Sequence, residues 1–218
     1  KNAVLKFLTS KKKAKTLNVE ETSVPKIDIL ETNNRVPWSG HMASYAIRDI
    51  YQKIKKSSLT IVFVNTRAQA ELVFNKLWQE NENNLRIAIH HGSLEKEIRR
   101  KVESLMSSGK IDCVVATSSL DLGIDWGDVD LVVQIGSPKG ISRFLQRIGR
   151  SNHRFDEPSN ALLVPSNRFE YLECLSAINS IKNKLLDETK EKKGSLDVLA
   201  QHVLGVACSE PFQVDDLY

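Results

Sequence analysis

The stretch FLQRIGRSNHR, residues 144–154, sets arginines at 147, 150 and 154 beside Gln146, Gly149 and Asn152. A guanidinium presents a planar fork of donors that suits phosphate oxygens. No Asp or Glu occurs between Gly140 and Phe155, so these cations have no acidic partner close by in the chain. A salt-bridged surface helix would intersperse carboxylates, and an anion site would not. Arg147 and Arg150 are three apart, which on a helix puts them on one face.

Further candidates sit just after short apolar runs. Asn65-Thr66-Arg67 follows IVFV, His91-Gly92-Ser93 follows IAIH, Ser118-Ser119 and then DLGIDWG follow VVAT, and Gly136-Ser137 follows LVVQI. Glycines and hydroxyls there offer backbone N–H groups and helix dipoles to phosphate. Thr66 and Ser93 also read as plain helix caps. Arg67 and His91 have no part in capping. His90 and His91 lack a cysteine or a third spaced ligand, so no metal site is expected.

These residues need a frame. Five runs, LTIVFV (59–64), LRIAIH (85–90), DCVVAT (112–117), DLVVQI (130–135) and ALLVP (161–165), are rich in β-branched residues and barely alternate. Strands buried on both faces read this way. Amphipathic helices separate them: Ala70, Val73, Phe74 and Leu77 form one stripe, and Ile98, Val102 and Leu105 another. Ile47, Ile50, Tyr51 and Ile54 precede the first run with the same spacing. The fold class is α/β: a parallel sheet covered by helices, with right-handed connections. In such sheets ligands bind at the carboxyl ends of the strands.

Composition agrees. The chain has 218 residues, 41% hydrophobic and 27% charged, with net charge +4. The excess of positive charge permits a nucleic-acid partner without establishing one. No apolar run approaches the roughly 18 residues of a membrane span, so no membrane partner is expected. Cys113, Cys174 and Cys208 are far apart and odd in number, which points to a reducing, cytoplasmic compartment. The first residue is not Met, so a piece of a longer chain is expected. KKKAK, within residues 9–24, reads as a solvated linker.

Four motifs together carry a resemblance. IVFVNTR, HHGSLEKEIRRKVE, VVATSSLDLGIDWGDVDLVVQIGSPK and FLQRIGRSNHR resemble motifs IV, the following helix entry, V and VI of superfamily 2 helicases, in order. PWSGHMA and LDVLAQHVLGVAC on the flanks are similar to the large helicase-related (Lhr) family. The resemblance implies a RecA-like second motor lobe over 25–170. Residues 1–24 would be the tail of a first lobe plus linker, and 171–218 a connecting helix and the start of a winged-helix domain.

It also implies roles. Arg150 matches the arginine that reaches the γ-phosphate, and Gln146 the residue that links to the attacking water; both are expected to be catalytic. Gly123 and Asp125 match the nucleotide-contacting pair of motif V. Arg147 is expected to brace the lobe, with a lesser claim to phosphate. His153 and Arg154 compete for a second phosphate contact, since Asn152 stands where glycine is usual. Thr66, Arg67, Gly92, Thr117 and Ser118 match positions that hold a strand's phosphates, contacts that position without reading bases.

No G-x-x-x-x-G-K-[ST] occurs, and no acidic box follows an apolar strand. ATP and Mg2+ are therefore expected to bind mainly through a first lobe. The partners implied are that lobe, single-stranded DNA, and a ligase or nuclease of DNA repair. Two rivals remain: a non-motor nucleic-acid module with a degenerate RecA-like fold, and a small-molecule enzyme. The latter lacks any G-x-G-x-x-G after a strand.

Overall fold

The computed structural model describes residue 17 and residues 25–40, 42–121, 129–151, 158–187 and 194–217. They divide into two compact units, Lys1–Leu186 and Asp187–Tyr218.

In the first unit every apolar run becomes a strand. β1 is Lys26–Ile29, β2 Thr60–Phe63, β3 Ile87–His90, β4 Cys113–Ala116, β5 Leu131–Ile135 and β6 Asn160–Val164. The sheet order is β1-β6-β5-β2-β4-β3, with every pairing parallel. Helices α1 (Ile47–Ile54), α2 (Arg67–Gln79), α3 (Lys96–Ser107), α4 (Ile141–Ile148) and α5 (Arg168–Lys182) connect or follow the strands.

Residues along a strand alternate between two cores. Val62, Val64, Val115 and Val133 meet Ile47, Ile50, Val73 and Leu77 of α1 and α2 on one face. Ile61, Phe63, Val114 and Val132 meet Val102, Met106, Phe144 and Cys174 of α3, α4 and α5 on the other. Each such aliphatic or aromatic side chain contributes about 1.5–3 kcal/mol by leaving water. The two-faced burial explains why the strand sequences scarcely alternate.

The structure differs from expectation in three places. β1 was not expected: its four residues, KIDI, alternate polar and half-covered positions, the pattern of an edge strand. The first compact unit runs to Leu186, past the boundary expected at 170, and Cys174 of α5 is buried in its core with Ile178 and Ile181 packed against it. Arg150 is not on a helix with Arg147. α4 stops at Ile148, and Arg150 lies in the turn that follows, its N–H bonded to the Arg147 carbonyl at 3.0 Å.

In the second unit, α6 (Leu196–Ser209) forms as the periodicity predicts, followed by α7 (Val214–Leu217). No residue of α6 is buried, and Leu196, Val198, Leu199 and Leu204 stand exposed.

Candidate nucleotide and nucleic-acid site

The carboxyl ends of β2, β4 and β3 are neighbours, and they carry Thr66 and Arg67, Thr117 and Ser118, and Gly92 respectively. Thr66, Arg67, Gly92 and Ser118 are exposed and Thr117 is half-buried. With neighbouring strands about 4.8 Å apart, the three strand ends form a row about 10 Å long.

Thr66 does cap α2. Its hydroxyl accepts from the Gln69 N–H at 3.2 Å, while the Gln69 side chain accepts from the Thr66 N–H at 3.2 Å. The hydroxyl keeps its own proton for another acceptor. Ser93 does not cap: α3 begins after Glu95, and no side chain closes that end. Arg67 donates from Nε to Glu71 Oε1 at 2.8 Å, an exposed pair that a phosphate can displace.

β3 and β4 are tied at this edge by His90. Its ring is buried between Ser119 (Nδ1 to Oγ, 2.7 Å) and Glu103 of α3 (Nε2 to Oε1, 3.1 Å). The Ser119 hydroxyl also lies 3.0 Å from the His90 carbonyl but has one proton to give. With neutral His90, Nε2–H donates to Glu103 and Ser119 donates to Nδ1. Protonation of the ring forces the hydroxyl over to the carbonyl.

Burial holds the His90 ring below the ordinary imidazole value and outweighs the Glu103 carboxylate, while Arg99 and His91 push the same way as burial. Below about pH 6.5 the unfolded chain therefore binds more protons than the folded one, and stability is lost as the pH is lowered. Between pH 7.5 and 5.5 the urea midpoint is expected to drop more for the native chain than for His90→Gln. Parallel slopes refute this account of the ring.

Of the two roles expected of Arg147, the geometry fits the brace and not the phosphate contact. Arg147 is 4% exposed and donates from Nε to Asp121 Oδ1 at 2.8 Å and from Nη1 to Gln134 Oε1 at 2.6 Å. Its guanidinium lies 4.7 Å above the Phe63 ring. Its fork is used inside the lobe, so it braces and does not present itself to a nucleotide. Sequence reading did not single out Asp121 or Gln134. A glutamine inside the otherwise apolar run DLVVQI was the available signal.

Asp121 gathers three arginines. Arg143 Nε lies 3.4 Å from Oδ2, Arg147 takes the other oxygen, and Arg150 donates from Nη2 to the Asp121 carbonyl at 2.9 Å. Arg150 is half-buried and Gln146, on α4, is exposed. Gly149 lets this turn close: a Cβ there would stand 3.3 Å from the Leu145 carbonyl oxygen. At the end of β5, Gly136 takes φ +80°, which favours glycine, and an added Cβ would meet Asn65 Nδ2 at 3.0 Å. Gly123, Asp125, His153 and Arg154 lie outside the described residues.

Residues 43–155, more than half of the chain, match the family described as the helicase conserved C-terminal domain. The chain belongs to this family. ATP-dependent helicase Lhr-Core protein 2 of Thermococcus barophilus is 40% identical to the lobe over 166 residues, 76% of this chain and 19% of that protein. Lhr helicase/probable uracil glycosylase of Mycolicibacterium smegmatis is 42% identical over 126 residues, 58% of this chain and 8% of that one. The structure of Mycobacterium smegmatis helicase Lhr bound to ssDNA and AMP-PNP matches with TM-score 0.78 and 32% identity, covering 90% of this chain and 26% of that chain. S. cerevisiae Dbp5 bound to RNA and ADP BeF3 shares the fold at TM-score 0.63 and 19% identity, covering 94% of this chain and 52% of that chain. The chain is thus a helicase C-terminal domain similar to that of Lhr helicases, and its fold is RecA-like. The lobe spans 19% of the length of the first of these relatives.

Proposed function

We propose that the lobe completes the ATP site of an Lhr-type helicase or translocase and grips its single-stranded DNA track. One observation carries the reading. The short turn Ser118–Leu120 begins in the row of strand ends, right after Thr117, and leads to Asp121, which holds Arg150. The candidate strand grip is therefore one end of the five-residue segment 117–121, and the residue that holds the candidate phosphate sensor is the other. His90 pins the middle of that segment through Ser119.

The donor set fits a nucleotide phosphate. Arg150 brings a half-buried guanidinium, and Gln146, exposed nearby in sequence on α4, brings an amide. ATP with Mg2+, held mainly by a first lobe, supplies the phosphoanhydride. Arg150 stabilises charge on the phosphoryl group, Gln146 orients water, and Thr66, Arg67, Gly92 and Thr117 hold backbone phosphates without reading sequence. A displacement of Arg150 moves Asp121 and, through the turn, Thr117.

The structure of Mycobacterium smegmatis helicase Lhr, which holds ssDNA, supports a DNA track. Relatives whose names join an Lhr helicase to a uracil glycosylase support a repair setting; the ligase or nuclease companion is part of the proposal and rests on the flanking resemblance alone. The test joins this chain to a lobe bearing a Walker-type loop and measures ATP hydrolysis. Turnover stimulated by single-stranded DNA is expected. Turnover indifferent to any nucleic acid sinks the motor reading, and equal stimulation by single-stranded RNA sinks the DNA preference.

A further inference from the structure

The segment that leaves β1 crosses the carboxyl end of β6. The Pro37 carbonyl accepts from the Arg168 N–H at 3.0 Å, and the Gly40 carbonyl accepts from Asn167 Nδ2 at 2.9 Å. Between them Trp38 stands 68% exposed, an unusual place for so large an apolar ring. It is nonetheless held: the Arg168 guanidinium lies 4.1 Å over one face, and Arg168 Nε donates to the Val36 carbonyl at 3.4 Å. One face of the indole is covered by a cation and the ring remains largely open to solvent. Phe169, next to Arg168 in sequence, is 69% exposed. Between Arg35 and Arg168 the surface dips into a hollow of ≈ 450 Å3 floored by Leu172 and Tyr171.

We infer that Trp38, backed by Arg168, is a stacking platform for a base of single-stranded nucleic acid, an extension of the strand track beyond the row on β2, β4 and β3. The inference rests on the proposed nucleic-acid reading. Three features favour a nucleic-acid strand over a protein partner. The platform lies on the same carboxyl edge of the sheet as Thr66 and Thr117, because β6 and β5 lead to β2 in one parallel series. Exposed cations mark the way, with Arg67 after β2, Lys139 after β5, and Arg35 and Arg168 at the platform. An aromatic ring presented flat beside a cation suits base stacking and phosphate neutralisation together, and such stacking tolerates any base. From β2 to β6 is two strand spacings, about 10 Å, so a strand gripped at Arg67 reaches Trp38 within a few nucleotides.

The test uses this chain at low salt with oligodeoxythymidylate. In a chain carrying Trp78→Phe and Trp126→Phe, Trp38 is the one remaining indole, and its emission is expected to be quenched on binding. In the otherwise native chain, Trp38→Ala is expected to weaken binding about 5- to 150-fold, and Trp38→Phe much less. Arg35→Ala is expected to lower the salt slope by about 1. Trp38 is solvent-facing, so the alanine variant keeps the fold, which circular dichroism checks. Unchanged affinity in Trp38→Ala overturns the platform. If Arg67→Ala still weakens binding in that case, the track stands and only its extension falls. If the oligonucleotide does not bind at all, both fall.

Discussion

Replacing Arg150 by alanine is expected to lower ATP turnover about 10³- to 10⁵-fold in a protein that unites this lobe with a Walker-bearing lobe, the magnitude associated with an arginine finger. ATP affinity and DNA affinity are expected to change little, because the guanidinium is needed for charge that develops during phosphoryl transfer. The fold is expected to survive. The described bond lost is Nη2 to the Asp121 carbonyl, a contribution of about 0.5–1.5 kcal/mol. The measurement is steady-state ATPase with a nucleotide-binding titration and a urea melt on the same variant. Native turnover in Arg150→Ala removes the residue from the mechanism and favours a lobe that binds nucleic acid without acting as a motor.

Arg147→Ala is expected to behave in the opposite way, through stability. Arg147 and Asp121 are 4% and 6% exposed in their side chains, so the substitution leaves a buried carboxylate without its main partner. Breaking such a pair costs about 3–5 kcal/mol, a large part of the roughly 5–15 kcal/mol that holds a domain together. The lower end is expected, since Arg143 remains 3.4 Å from Asp121 Oδ2 and can move in. The Gln134 carbonyl and the face of Phe63 lose their cation as well. Urea unfolding checks this. Adding Asp121→Asn to Arg147→Ala is expected to recover part of the loss, because it removes the buried charge. A loss below about 1 kcal/mol, the range of a surface pair, contradicts the brace. A stable variant with collapsed turnover returns Arg147 to the nucleotide.

Together the two substitutions separate neighbours that look alike in the sequence. Both are arginines of one motif, three positions apart, without an acidic residue beside them. Asp121, twenty-six positions before Arg147, gives them different tasks. It takes one guanidinium on its carboxylate and the other on its carbonyl, and so sets where the second points. The periodic pattern could report that α4 buries a face, but not which strand-end residue waits beneath it.

The amino-acid sequence by itself determined the layered α/β architecture, five of the six strands, the helices between them and the α6 helix of the second unit. Burial on two faces imposes runs of β-branched residues, and burial on one imposes the helical stripe, so both are written locally. It also determined the motif order that marks a superfamily 2 helicase lobe. The tertiary structure decided the rest. It added β1, whose four residues are too few and too polar to stand out until β6 pairs with them. It placed β2 between β5 and β4, which brings Thr66, Thr117 and Gly92 into one row. It turned Arg147 inward and left Arg150 at the turn. Those outcomes depend on which distant segments meet, a property of the sheet order and of loop closure that no local run of residues encodes.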